Sequence, residues 1–155
     1  MRRIIGGLVG GGVAVFAGAN AMDDDTTRND AGEIVEGGGL GVFAINVGDC
    51  IQLPDETQVQ SVEGVPCTSP HGAQVYAEFD LPGGSWPGQA AMDEQSGRGC
   101  YDRWQAAVGT VYEEDTVLDF AFFNPSEAGW AEGDHEVQCF IVNIDGTPLV
   151  GDRLP

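Results

Sequence analysis

Four cysteines, Cys50, Cys67, Cys100 and Cys139, limit this chain's folding choices more than any other feature. All lie beyond residue 49, and their number is even. Whether they form bridges or act as thiolates depends on the compartment. The amino terminus speaks to that. Arg2 and Arg3 precede an uncharged run from Ile4 to Ala21, and Asp23, Asp24 and Asp25 come directly after it. Positive charge before the run and acid after it predict an inside amino terminus with the remainder outside. As a helix the run would measure roughly 27 Å, just enough for a hydrocarbon core of roughly 30 Å. Ala19-Asn20-Ala21 equally fits the small-x-small site of a cleavable signal. Residues 1–22 are therefore expected to be a signal anchor or signal peptide. Both readings export the rest of the chain, as a single-pass plasma-membrane protein with an extracytoplasmic carboxyl-terminal domain, or as a secreted one.

Outside the cytoplasm, four cysteines read as two disulfides. Three pairings are open, of which Cys50 with Cys67 and Cys100 with Cys139 is preferred. The first would join two neighbouring strands. The second would tie the core face of a helix to a core strand. The rival is a metal site, since Cys67 and His71 lie four residues apart. No Cys-x-x-Cys supports it, and a redox role lacks the same arrangement.

The residues from 23 to 39 are polar, acidic and rich in glycine, which predicts a flexible acidic linker. A disulfide-stapled domain is expected over residues 40–155. Within it Val59 to Cys67 reads as a strand. Ala73 to Leu81 alternates, with Ala73, Val75, Ala77, Phe79 and Leu81 on one face and Gln74, Tyr76, Glu78 and Asp80 on the other. A helix is predicted over 88–108, because Cys100, Trp104, Ala107 and Val108 share a face. Gly97 and Gly99 argue for a kink there. Val117 to Phe123 and Glu136 to Ile144 read as further strands. Between them Asn124-Pro125-Ser126-Glu127 predicts a short helix capped by Asn124. The predicted class is α+β: a small, mostly antiparallel sheet with one main helix, one short helix and two disulfides.

The charge excludes several functions. Six basic residues, all Arg, stand against 25 acidic ones, a formal net charge of −19. Such a surface repels phosphate backbones, so nucleic acid is not an expected partner. Nor does a motif for a cofactor appear. His135-Glu136-x-x-Cys139 resembles the start of a zinc-protease helix, but ends in Cys and lies in strand-like sequence. Two residues remain as binding candidates. His71 sits in a turn before the alternating strand, where a general base could stand, although such a histidine more often caps the turn. Trp86, between Ser85 and Pro87, is the best candidate for an exposed aromatic that meets a partner or glycan.

Several short motifs occur together: Gly48-Asp49-Cys50, Val65-Pro66-Cys67, Ser69-Pro70-His71 and Val75-Tyr76-Ala77. Trp86-Pro87-Gly88 comes next, and then Asn124-Pro125-Ser126-Glu127, Trp130, Gly133-Asp134 and Val137-Gln138-Cys139. In this combination residues 43–153 resemble the septum formation family of actinobacterial envelope proteins. Gly72 stands where that family has an acidic residue after Pro-His, and His135 where it has a basic one after Gly-Asp. The resemblance implies an amino-terminal span, a short linker and an envelope domain tied to septation, with no catalytic residues to carry over. The expected function is thus a non-catalytic envelope module that binds a protein or cell-wall component. The alternatives are a wall-modifying hydrolase using His71, and a sensory or structural ectodomain stabilised by cations.

Overall fold

A computed structural model of the chain describes residues 8–10, 23–56 and 58–155. The predicted span over 4–21 lies outside the described residues, apart from the backbone of Leu8–Gly10. Those three residues form an extended strand, β1, instead of a helical turn. Among the described residues no helix is long and apolar enough to cross a membrane.

The other strands are β2 (Thr27–Arg28), β3 (Ile34–Glu36), β4 (Gly38–Gly41), β5 (Cys50–Gln52), β6 (Gln58–Val59), β7 (Ser61–Val65) and β8 (Ala73–Asp80). The main helix α1 (Gln89–Val108) comes next, then β9 (Leu118–Pro125), the short helix α2 (Glu127–Ala131) and β10 (Glu136–Asn143). Eight strands pair in the order β4-β7-β5-β8-β10-β9-β1-β6, and β2 with β3 makes a separate hairpin. All pairings among the described residues are antiparallel except those of β1, which runs parallel to both β9 and β6. Only Gln60 separates β6 from β7, yet they sit at or near opposite ends of the order. The sheet therefore curls back on itself.

That curl creates two cores. Inside it, Leu40, Val59, Val75, Phe123 and Phe140 pack together. On the outer face of β8, β10 and β9, α1 lays down Met92, Cys100 and Trp104 against Phe120, Phe122, Val137 and Ile141. Trp104 is wholly buried, with the rings of Tyr76, Tyr112 and Phe120 5.4, 5.3 and 6.3 Å from it. Aromatic contacts of this kind each contribute about 0.5–1.5 kcal/mol beyond their buried area.

Both predicted disulfides are formed, Cys50–Cys67 and Cys100–Cys139, and no cysteine is free. The α+β class holds as well, with one main and one short helix. Four expectations need correction. The linker predicted over 23–39 is built into β2, β3 and β4, so the folded domain starts well before residue 40. Ile34 and Leu40 are buried, and the backbone bonds Asp25 N–H to Gly39 O at 2.8 Å and Gly41 N–H to Asp23 O at 2.7 Å hold the segment. Its glycines allow close approach: a Cβ on Gly37 would lie 2.9 Å from the Gly64 carbonyl oxygen.

The alternation across β8 is also broken. Pairing with β10 jumps from Cys139–Ala77 to Phe140–Val75, leaving Tyr76 as a bulge. Ala73 and Val75 consequently face the inner core, whereas Tyr76 and Ala77 both join the helix-side core. The helix α1 runs unbroken through Gly97 and Gly99. Gly99 is where the Phe79 ring lies against the helix, in space that a Cβ would occupy. Finally, β9 continues through Pro125, and Ser126 rather than Asn124 caps α2, its Oγ accepting from the Gly129 N–H at 3.0 Å.

The two bridges close loops of different length, with sequence separations of 39 and 17. Replacing both cysteines of a pair by serine is expected to cost about 4 kcal/mol for Cys100–Cys139 and about 3 kcal/mol for Cys50–Cys67. Urea unfolding of the two double variants against the oxidised wild type measures that order.

Candidate functional site

The hairpin that replaces the expected linker has a single cationic anchor. Arg28 is the only basic residue between Arg3 and Arg98 apart from His71. Its Nε donates to Asp24 Oδ2 at 2.8 Å. Its two terminal nitrogens fork onto Asp49, at 2.7 and 2.9 Å, and one also reaches the Gly32 carbonyl at 2.8 Å. Asp49 is 5% exposed, and its Oδ2 also accepts from the Asn46 N–H at 2.9 Å. A forked guanidinium–carboxylate pair combines charge with planar geometry. The hydrogen bonds from Arg28 to Asp49 outweigh the opposing effect of burial and raise the Arg28 pKa, so the guanidinium stays charged. Burial pushes Asp24 upward, but hydrogen bonds from Thr26 and Arg28 outweigh it and hold the carboxyl below its ordinary value.

Between this hairpin and the Cys50–Cys67 bridge opens a groove of about 420 Å³. Residues 31–35 line it on the hairpin side. Residues 47–50 and 65–68 line it on the side of the bridge, and Asp152 also borders it. Val35 and Val47 on its rim are 48% and 50% exposed. The volume falls within the range of small-molecule and side-chain sites. No residue of this lining is basic.

A second, smaller hollow of about 370 Å³ lies at the far ends of β8 and β10 and includes Phe43, Asp80, Glu132, Asp134, His135 and Glu136. Here Glu136 is paired directly opposite Asp80, and Glu78 lies opposite Gln138. Like charges facing each other across a ladder repel. Burial, aided by Glu136 and Asp49, pushes the Glu78 carboxyl up to about 7. Burial pushes Asp134 up to about 6, and burial followed by Asp134 raises Glu136. Glu78 Oε1 has no hydrogen-bond partner among the described residues. Among those residues no group of three or more His, Cys, Asp or Glu is arranged to hold a metal ion.

The two candidates from sequence lie in neither groove. His71 is wholly buried. Its Nδ1 is 2.7 Å from the Ser69 carbonyl oxygen, and its backbone bridges Leu149. The ring caps its own turn and offers no face to a ligand. Trp86 is half-buried, packed edge-on against Trp130 with ring centroids 6.0 Å apart. Trp130 in turn stacks near His135 at 4.2 Å and donates its Nε1 proton to the Gly84 carbonyl. Trp86 therefore belongs to the packing of the helix-side core and keeps only part of its surface for anything else. Sequence reasoning misses the hairpin groove because its wall reads as linker. The usable signal is the lone Arg28 amid acids.

The family model for septum formation matches residues 42–148, more than two-thirds of the chain. The chain belongs to the septum formation family. No curated protein and no solved structure matches it. Membership in the septum formation family points to a role in division or the envelope, and that family is not known for an enzymatic activity. The disulfide wall of the groove, residues 47–50 and 65–68, lies within the matched segment, whereas the hairpin wall and Asp152 lie outside it.

Two outcomes are expected from the electrostatics. Glu78 and Asp134 titrate near 7 and 6 in the fold, against ordinary values of 4.5 and 3.8. Between these limits the folded state holds more protons than the unfolded one, so stability falls as pH rises. Urea unfolding from about pH 5 to about pH 8 is expected to show this decline. Glu78→Gln should flatten its upper part and stabilise the protein at the alkaline end by about 1 kcal/mol, allowing for solvent screening of a half-exposed group. Arg28→Ala, by contrast, strips the buried Asp49 of its partner and is expected to cost about 1.5–3 kcal/mol. Amide exchange should accelerate first at Ile34–Glu36, the strand that the anchor holds.

Proposed function

We propose that this chain is a non-catalytic extracytoplasmic module of the cell envelope that binds a protein or wall component during septation. The family match over residues 42–148 carries the reading. Two physical observations support it. All four cysteines are bridged, as suits an oxidising compartment. The groove beside the Cys50–Cys67 bridge is a partly apolar cleft lined by half-exposed valines, a surface suited to recognition. In this reading residues 4–21 hold the domain at the plasma membrane or direct its secretion, and the acidic exterior keeps it soluble and clear of anionic polymers.

The reading is checked in dividing cells. A carboxyl-terminal fluorescent fusion that retains function is expected to gather at the division site and to resist extraction from the membrane fraction. An even distribution around the cell would overturn the septal role. Recovery of full-length chain with reduced thiols from the cytosol would overturn export.

A further inference from the structure

We propose that the groove between the β2–β3 hairpin and the Cys50–Cys67 bridge receives a cationic side chain, Arg or Lys, flanked by aliphatic residues in an extended segment of a protein partner. The proposal rests on the binding-module reading and gives it a site and a ligand chemistry. Its first support is the distribution of apolar surface. Val35 and Val47 are among the few large hydrophobic residues left half-exposed, and they stand on opposite walls of one cleft. Half-buried Pro66 also lines the cleft, with Val65 buried beside it. An aliphatic side chain or the methylene stem of Lys or Arg would cover it.

The second support is charge. Three carboxylates border the groove, Glu33, Asp49 and Asp152. Asp49 is already paired with Arg28, whose donors are committed to Asp24, Asp49 and Gly32. Glu33 and Asp152 have no ion-pair partner among the described residues. Asp152 Oδ1 is held in place by the Gln74 amide at 2.8 Å and the Leu154 N–H at 2.9 Å, and Gln74 is itself wholly buried. An anchored carboxylate bordering a partly apolar cleft fits a cation on an aliphatic stem. An anionic ligand would meet repulsion there, and a neutral apolar one would leave the carboxylates without a counter-charge.

The size agrees with one such residue and parts of its neighbours. About 420 Å³ exceeds a single side chain, and residues 31–35, the end of the hairpin turn and the start of β3, line one wall. Within that wall β3 pairs only with β2 among the described residues, and an extended segment beside its other edge would use a recurrent mode of peptide capture.

The test uses the full-length chain in detergent and three blocked peptides. One alternates Val with Arg and Lys, one replaces the cations by Glu, and one keeps the cations but replaces Val by Ser. Methyl chemical shifts of Val35, Val47 and Val65 report the site, and the same titrations give affinity. The Val/Arg/Lys peptide is expected to shift these methyls and to bind about tenfold more tightly than either control. The double variant Val35→Asp, Val47→Asp separates a specific site from general attraction to an acidic surface. Specific capture predicts about tenfold weaker binding, whereas general attraction predicts tighter binding because two charges are added. Asp152→Asn, which keeps an oxygen acceptor for Gln74 and Leu154 but removes the charge, should weaken binding of the Val/Arg/Lys peptide in the folded protein. Equal binding of the Ser-containing peptide, or unchanged binding by the double variant, overturns the proposal. Loss of peptide binding alongside a fusion that still gathers at the septum would sink the groove and leave the septal reading intact. Intact binding with a uniformly distributed fusion would do the reverse.

Discussion

The strand β10 is the member on which the rest of the domain depends. It is hydrogen-bonded on one side to β8 and on the other to β9, and residues 137–142 along it are buried on both faces. Cys139 on this strand is bonded to Cys100 in the middle of α1, so the helix is held covalently to the strand it covers. Phe140, the next residue, points the other way and meets Phe123 at 4.6 Å in the inner core. One strand therefore joins two hydrophobic cores. Neither core would be closed without it, because the sheet must curl to enclose the first and stay open on its outer face to receive the helix for the second.

The readable parts of this fold are those where one local signal has no rival. Cys100 shares a helix face with Trp104, and that face is the buried one, so a bridge to a core strand is the natural pairing. The stretch from Ala73 to Asp80 is plainly a strand. What alternation does not convey is that both faces of β8 are covered. When polar and apolar residues alternate on a doubly buried strand, the pattern reports side-chain chemistry and not exposure. Gln74 and Tyr76 are wholly or almost wholly buried, each with a specific partner, Asp152 for Gln74 and the Cys100 carbonyl for Tyr76. The bulge at Tyr76 then shifts the register of faces by one. No composition rule announces that, since it depends on the opposing strand.

The candidate site is less legible than the fold, for a related reason. Acid and glycine between residues 23 and 39 carry the composition of disorder, and the composition is real. What overrides it is a small number of long-range contacts: Leu40 opposite Val62 in the ladder, Ile34 in the inner core, and Arg28 forked onto Asp49. These partners are far apart along the chain, out of reach of any local reading. His71 illustrates the opposite case. A histidine in a turn invites a chemical role, yet its ring is sealed in and its Nδ1 serves the adjacent carbonyl. Trp86 is intermediate, with one face used in packing against Trp130.

A strongly acidic protein with few cations must place each cation with care, and the placement separates two regions here. At the hairpin, Arg28 pairs with two carboxylates and ties the β2–β3 segment to Asp49, next to the bridge between Cys50 and Cys67. At the far ends of β8 and β10, no Arg is supplied among the described residues; His135 only partly offsets the charge at Asp134, and burial with carboxylate neighbours raises Glu78, Asp134 and Glu136. The first arrangement makes a rigid, charge-structured cleft whose walls come from two parts of the chain. The second stores unfavourable charge that protonation relieves. A surface meant only for solubility would have no reason to put the only Arg between residues 4 and 97 on a hairpin beside an apolar groove. That placement ties the hairpin to Asp49 beside the groove, and a ligand of the kind proposed above would meet walls already ordered by that pair.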